Sequence, residues 1–296
     1  MSFLARALSL AVLLAAAGCG GSAAAPPTPR TGLFDYDRAA SIGLRDRGVV
    51  NHGYPVRIHD VSFRGFGGDT VAAFLMVPPG KGPFAGVVFV PGSGGSRADF
   101  LVPATHLAAR GAVTLSIATA FVSGRQNLPN GVAGLRAFRT GFIQNVEDVR
   151  RGLDLLAARP DVDPRRLGVL GYSLGAALAG ATTGVDRRVA AAALVAPPEH
   201  PHFQPPMPQA LERRVLADVD PTRYLPSTHA AVLLALARRD QVIPRAEYET
   251  YIAAAPRPTV RWYDTDHHMS RAAIHDTLDW LADQLDLGPL PAYARG

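Results

Sequence analysis

Residues 166–180 of the sequence read RLGVLGYSLGAALAG. The apolar run 166–172 predicts a buried strand and the small-residue run 174–183 predicts a helix, so Ser173 lies in the turn between them. The turn, Gly171-Tyr172-Ser173-Leu174-Gly175, matches the pattern Gly-x-Ser-x-Gly. In such a turn the serine adopts strained backbone angles, and β-carbons in place of the glycines would collide with the adjacent strand and helix. We predict that Ser173 is a nucleophile; a merely tight strand–helix turn is the alternative.

Apolar runs on both sides of this segment predict further strands and helices in alternation. Such alternation predicts an α/β fold in which helices cover both faces of a mostly parallel, doubly wound sheet. Two stretches, 120–141 and 197–228, show no clear period, and we expect them to form a small lid or rim insertion. The predicted strands are 56–63, 70–77, 85–90, 112–117, 166–172, 189–195, 230–236 and 259–263, and the predicted helices are 101 to near 111, 142–159, 174–183, 245–254 and one from near 270.

A serine nucleophile needs a general base oriented by a carboxylate, and in this kind of fold the chain order is serine, acid, histidine. Asp240 follows the predicted strand 230–236, at the edge of the sheet where such an acid belongs. An exposed aspartate paired with its arginine neighbours is the alternative. Asp218 and Asp220 precede a strand and fit less well.

Two adjacent histidines, His267 and His268, follow the last predicted strand. Because they are neighbours, their side chains should diverge, and only one can serve as the base. The residues alone leave both open.

The tetrahedral intermediate of acyl transfer needs two backbone N–H donors. We predict the amide of Leu174, directly after the nucleophile, and the amide of Ser93 in the glycine-rich turn that follows strand 85–90, with Gly94 as the alternative to Ser93. The same turn does not fit a dinucleotide site, since Gly-x-Gly-x-x-Gly from Gly92 would require glycine at Arg97. No Gly-Lys-Ser/Thr occurs either, so no cofactor is predicted.

The composition bounds the remaining possibilities. With 296 residues, 48% of them hydrophobic, the chain can bury a large core, and no linker-like stretch follows residue 50. We therefore expect one globular domain over 51–288 and a short tail over 289–296. The formal net charge is +5, but the arginines are scattered in pairs without interleaved aromatics, so no nucleic-acid partner is predicted.

The N-terminus resembles an export signal. A basic start at Arg6 precedes the apolar run 8–17, which is too short for a transmembrane helix. The run Ala16-Ala17-Gly18-Cys19 resembles a bacterial lipobox, except that leucine is usual where Ala16 stands. We expect 1–19 to be a signal peptide, Cys19 to carry a lipid that anchors the exported chain to a bacterial membrane, and 20–50 to be a flexible tether and lead-in. A plain signal peptide and a soluble secreted protein are the alternative.

Taken together, these motifs resemble the α/β-hydrolase superfamily, and within it the dienelactone hydrolase and secreted peptidase-like esterase branches, over roughly residues 56–286. In similar proteins a tyrosine four residues before the histidine and a tryptophan thirteen residues after it frame the last motif. Tyr263, His267 and Trp280 reproduce this spacing, so the resemblance favours His267 over His268. Many relatives have histidine where Pro91 stands, and dienelactone hydrolases proper use cysteine as the nucleophile, so their substrate is not carried over.

The sequence thus predicts a serine hydrolase of a small-molecule carboxylic ester or thioester, with Ser173, Asp240 and His267 as its triad. Acyl transfer or peptide cleavage by the same triad is one alternative. Metal-dependent hydrolysis through 264–268 or through His200 and His202 is another, and a non-catalytic surface lipoprotein is a third.

Overall fold

The computed structural model describes residues 31–51, 55–121, 129–199 and 208–294, and within these ranges nine strands form one sheet. The strand order is β1-β2-β3-β5-β4-β6-β7-β8-β9. Strands β1, β2, β3 and β5 pair antiparallel, and all pairs from β5 to β9 are parallel. The parallel strands therefore end at one common edge. The strands are β1 Arg45–Val49, β2 Arg57–Arg64, β3 Thr70–Val77, β4 Phe84–Val90, β5 Ala112–Ile117, β6 Val162–Tyr172, β7 Val189–Val195, β8 Ala231–Ala237 and β9 Thr259–Tyr263.

Helices cover both faces of the sheet, and each face has its own apolar core. One core contains side chains of α2, α3, α4 and α5, and the other contains side chains of α1 and α6. Val146, Val149, Leu153 and Leu156, which fall on one face of α2, are all fully buried. The predicted α/β architecture with a mostly parallel sheet is confirmed. The helices are α1 Leu101–Ala109, α2 Gly131–Ala157, α3 Leu174–Val185, α4 Gln209–Leu216, α5 Arg245–Ala254 and α6 Arg271–Gln284.

The sequence predicted that the domain starts at residue 51, but the first strand of the sheet, β1, lies before that residue. Strand β1 pairs with β2 at the sheet edge; three of its five residues are charged and four are exposed, so no apolar alternation marks it. Before it, Phe34 is 1% exposed. Buried arginines of α2 also hold this segment: Arg150 donates to the Phe34 carbonyl at 2.6 Å, and Arg151 donates to the carbonyls of residues 40 and 41 at 3.0 Å. Residues 31–50 therefore belong with the domain.

The stretches 120–141 and 197–228 are more regular than predicted. Helix α2 begins at Gly131 rather than at 142, and α4 lies within the second stretch. The first turns of α2 were not predicted from the sequence because they contain several glycines, and glycine disfavours a helix. Gly134 is required there because a β-carbon would lie 1.9 Å from the Pro129 carbonyl oxygen. Residues 122–128 and 200–207 lie outside the described ranges, so a lid or rim stays a prediction.

Across the described ranges, we find no helix that combines the length and the apolar character required to cross a membrane.

Candidate active site

Ser173 occupies the sharp turn between β6 and α3. Its φ is 52° and its ψ is −124°, a combination that a non-glycine residue rarely adopts and that stores strain. The turn is held by backbone hydrogen bonds: the Ser173 amide donates to the Val195 carbonyl at 2.8 Å, and its carbonyl accepts from Ala176 at 2.8 Å. The serine is thereby fixed at the carboxyl edge of the sheet, where β6 ends.

The two glycines of the motif are required by close backbone contacts. A β-carbon at Gly171 would lie 2.1 Å from the Gly175 carbonyl oxygen. A β-carbon at Gly175 would lie 2.1 Å from the carbonyl oxygen of Val90 and 2.5 Å from that of Pro91. These contacts press the start of α3 against the end of β4, so the serine turn and the glycine-rich turn after β4 are adjacent.

Replacing Gly175 with alanine is expected to destabilise the protein by about 3 kcal/mol, because the new methyl group meets fixed backbone on an adjacent strand. The matched control is Gly180→Ala in the same helix. There the nearest atom would be 3.5 Å away, and alanine should stabilise the helix by up to about 1 kcal/mol. Urea unfolding of both variants measures the difference. Equal stabilities would contradict the packing described for Gly175.

The structure brings Ser173, His267 and Asp240 into one chain of contacts. The Nε2 atom of His267 is 3.1 Å from Ser173 Oγ, and its Nδ1 atom is 2.9 Å from Asp240 Oδ2. His267 is 8% exposed, whereas the side chain of His268 is 87% exposed and its Nδ1 is 3.9 Å from Asp266. Of the two adjacent histidines, only His267 contacts the serine.

Asp240 lies in the loop between β8 and α5 with both carboxylate oxygens engaged. Oδ1 accepts from the amides of Val242 and Ile243 at 2.8 Å each, and Oδ2 accepts from the Tyr248 hydroxyl as well as from His267. Burial raises the pKa of Asp240, but these hydrogen bonds outweigh it and hold the pKa below its ordinary value. The carboxylate is therefore ionised at neutral pH.

The less favoured acids have other partners. Asp218 forms an ion pair with Arg139 at 2.5 Å, and Asp220 accepts from the Thr222 amide at 2.9 Å at the start of a 3-10 turn. Neither contact involves a histidine, so the geometry leaves Asp240 as the acid beside His267.

Tyr172, the residue before the serine, supports the histidine loop. Its hydroxyl donates to the His267 carbonyl at 3.0 Å, and the two rings lie 5.3 Å apart. Burial, together with the charges of Asp240 and Asp266, raises the pKa of Tyr172 to about 12. The phenol thus keeps its proton and remains a donor.

The two predicted N–H donors lie in segments that meet at the serine. Leu174 is the first residue of α3, and the first amides of a helix have no acceptor within it. On the other side, a β-carbon at Gly92 would lie 3.3 Å from Ser173 Cβ, which places the glycine-rich turn against the serine. A hydrogen bond of 3.1 Å from the Gly95 amide to the Gly92 carbonyl closes this turn. Ser93 and Gly94 are both exposed within it, so both stay candidates for the second donor.

Comparison with solved structures identifies the fold. Over 88% of this chain and 95% of the other, the structure is similar to acetyl xylan esterase 1 from Thermoanaerobacterium sp., with a TM-score of 0.74 and 18% identity. It is similar to an acetyl xylan esterase from Paenibacillus sp. R4 over 85% and 91% of the two chains, with a TM-score of 0.72 and 20% identity. A Klebsiella pneumoniae protein provisionally named a dienelactone hydrolase gives a TM-score of 0.58 at 16% identity over 82% and 98%. This chain has the α/β-hydrolase fold.

The predicted α/β-hydrolase fold is thereby confirmed. At such low identities the similarity establishes the fold alone, and function has to be argued from the site. The sequence matches no family model and no curated protein.

Two cavities, on opposite faces of the α/β-hydrolase sheet, are lined by the chain neighbours of Ser173: one by Leu174 and the other by Tyr172. The one beside Leu174 measures about 20 Å³, and the other, between the sheet, α1 and α6, measures about 240 Å³. The small cavity is lined by Phe138, Phe142, Leu174, Ala177, Pro198, Glu199, Leu216, Val219, Asp220 and Pro221. The large cavity is lined by Gly92, Asp99, Phe100, Pro103, Leu170, Tyr172, Val195, His268, Ile274, Thr277 and Leu278.

Within the described ranges, no three histidine, cysteine or acidic side chains group closely enough to hold a metal ion. In the segment 264–268, Asp264 forms an ion pair with Arg239 at 3.3 Å. His200, His202 and Cys19 lie outside the described residues.

Proposed function

We propose that this chain is a serine hydrolase that cleaves a carboxylic ester or thioester through an acyl-enzyme intermediate. The observation that carries the proposal is the chain of contacts from Asp240 through His267 to the hydroxyl of Ser173. A serine hydroxyl is a poor nucleophile at neutral pH, and a base held in this way is what activates it.

In the acylation step, Ser173 Oγ attacks the substrate carbonyl carbon while His267 Nε2 takes the hydroxyl proton. Because Asp240 accepts from Nδ1–H, the ring is held in the tautomer whose Nε2 can accept. The amide of Leu174 and a second amide in the turn after β4, that of Ser93 or of Gly94, donate to the oxyanion that forms. As the intermediate collapses, the bond to the leaving oxygen or sulfur breaks, and Nε2 gives its proton to the departing alcohol or thiol.

In the deacylation step, water replaces the departed group. His267 Nε2 takes one water proton as the water oxygen attacks the acyl carbon, and a second oxyanion forms between the same donors. Collapse breaks the bond to Ser173 Oγ, which recovers its proton from Nε2. The acid product leaves, and the site returns to its starting state.

The cavity beside Leu174 supports a short acyl group. Its volume of about 20 Å³ is little more than a single water molecule requires. Phe138, which lines this cavity, is stacked on Phe121 with the ring centroids 5.2 Å apart. We therefore propose an acyl group of about acetyl size, and the acetyl xylan esterases with similar structures agree with this choice.

We expect kcat/KM to fall at least about tenfold from p-nitrophenyl acetate to p-nitrophenyl hexanoate, because the longer chain does not fit beside Leu174. Phe138→Ala should enlarge the cavity and narrow this ratio. Phe100→Ala is the control, since Phe100 lines the large cavity on the other face. If Phe100→Ala changes the ratio and Phe138→Ala does not, the acyl group binds between α1 and α6 instead.

Labelling with a fluorophosphonate probe tests the proposed chemistry. The probe forms a covalent bond only with an activated serine, so the tryptic peptide that carries Ser173 should gain the phosphonyl mass. Turnover of p-nitrophenyl acetate should disappear in step with labelling. A chain that stays unlabelled under conditions where it is folded would show that the α/β-hydrolase fold is kept here without this chemistry.

We also propose that the chain is exported and anchored to a bacterial membrane by a lipid on Cys19. This proposal is supported by the N-terminal sequence, in which a basic start, an apolar run and Ala16-Ala17-Gly18-Cys19 follow one another. The substrate would then be an ester met outside the cytoplasm.

A further inference from the structure

The carboxylate of Asp240 accepts more hydrogen bonds than its contact with His267 requires. Two backbone amides occupy Oδ1, while the Tyr248 hydroxyl and His267 Nδ1 both donate to Oδ2. A carboxylate has about four lone-pair positions, so this one is saturated. The oxygen that holds the histidine is shared with a phenol.

Tyr248 is fixed in this position. It lies on the first turn of α5, its side chain is 1% exposed, and its ring packs edge-on against Trp262 at 5.9 Å. Burial and the hydrogen bond to Asp240 both raise the pKa of Tyr248 well above its ordinary value, so the hydroxyl remains a donor. Trp262 in turn lies on β9, which leads into the loop of His267. Packing of the buried ring therefore holds the phenol hydroxyl at Oδ2.

We propose that Tyr248 is a positioning residue that, by sharing Oδ2 of Asp240 with His267, lowers the proton affinity of the histidine. This inference rests on the proposed function. A carboxylate oxygen that already accepts a charge-assisted hydrogen bond offers less negative charge to a second donor. The imidazolium is then stabilised less than it would be by an unshared oxygen. Removing the phenol donor should therefore strengthen the hold of Asp240 on a protonated His267.

Other groups also face His267, and none of them is altered by a substitution at Tyr248. Ser173 contacts Nε2, Tyr172 of β6 donates to the His267 carbonyl, and the His268 ring lies 6.2 Å away. Asp266 precedes the histidine and accepts from the His268 amide at 3.0 Å. None of these groups donates to Asp240 Oδ2. Removing the Tyr248 hydroxyl therefore changes only the set of donors to that oxygen.

The test is Tyr248→Phe, with Tyr251→Phe as the matched control. Tyr251 lies in the same helix, is 0% exposed, and donates its hydroxyl to the Pro198 carbonyl at 2.9 Å instead of to Asp240. The imidazole Cε1–H resonance of His267 is followed by NMR as the pH is changed. Its titration midpoint should rise by about 0.5 to 1 unit in Tyr248→Phe and stay unchanged in Tyr251→Phe. In turnover, the acid limb of kcat/KM should move to higher pH by the same amount.

Equal midpoints in Tyr248→Phe and the unaltered chain would overturn the inference. The NMR titration needs no turnover, so it remains decisive even if no ester is hydrolysed and the proposed function fails. Should Tyr248→Phe not fold, the unaltered chain still provides a test. The NMR chemical shift of a slowly exchanging Tyr248 hydroxyl proton should change as His267 titrates. A chemical shift that stays constant through this titration would refute the sharing of Oδ2.

Discussion

Ser173→Ala is expected to lower kcat on p-nitrophenyl acetate about a millionfold while leaving the fold intact. The loss is this large because nucleophile and base act as a unit, and only binding and the N–H donors remain in the variant. Ser227→Ala, an exposed serine in a 3-10 turn, is the control and should keep full activity. Circular dichroism and thermal unfolding check that both variants are folded.

Substantial activity in purified Ser173→Ala would place the nucleophile elsewhere. Fluorophosphonate labelling separates this result from contamination. A contaminant would be labelled on its own peptide, whereas a second nucleophile of this chain would be labelled on one of its other peptides.

Asp240→Asn is expected to lower kcat about 10⁴-fold near neutral pH. The amide nitrogen of asparagine cannot accept from His267 Nδ1–H, so the ring shifts to the tautomer that carries its proton on Nε2 and cannot accept from Ser173. Asp218→Asn is the matched control, because that carboxylate forms an ion pair with Arg139 and does not contact His267. Single-turnover kinetics with p-nitrophenyl acetate measures the acylation step in both variants.

The relative losses of kcat in Asp240→Asn and Asp218→Asn show which of the two aspartates orients the histidine. A greater loss in Asp218→Asn than in Asp240→Asn would remove Asp240 from the proposed mechanism. Comparable small losses would mean that His267 is oriented by its backbone, through the contact with Tyr172, and not by a carboxylate.

The parallel half of the sheet was predictable because its signals are local. Each of its strands contains a run of mostly apolar residues, and the predicted strands 112–117, 189–195 and 259–263 agree with β5, β7 and β9 at both ends. Strand β1 carries its charges on an exposed edge and has no such run. Its place in the sheet depends on its pairing with β2, and this pairing cannot be predicted from the sequence of β1 alone.

The site was partly predictable for a similar reason. Ser173, Asp240 and His267 each follow a strand that ends at the same edge, so their convergence follows from the order of elements. Tyr248 was missed because it stands inside a helix, and its spacing does not distinguish it from Tyr251. Only the packing of α5 against β9 directs one of these hydroxyls to Asp240 and the other to Pro198.

Tyr172 occupies a position that the Gly-x-Ser-x-Gly pattern treats as a wildcard. In this chain its side chain joins the nucleophile's strand to a segment 95 residues later in the sequence. A change there would satisfy the pattern and still leave the histidine's backbone without its donor. The motif specifies the residues that the turn requires and allows any residue at its second position. The histidine loop, in contrast, requires a hydrogen-bond donor there. In this chain the residue at that variable position, Tyr172, links the serine turn to the histidine loop through its side chain.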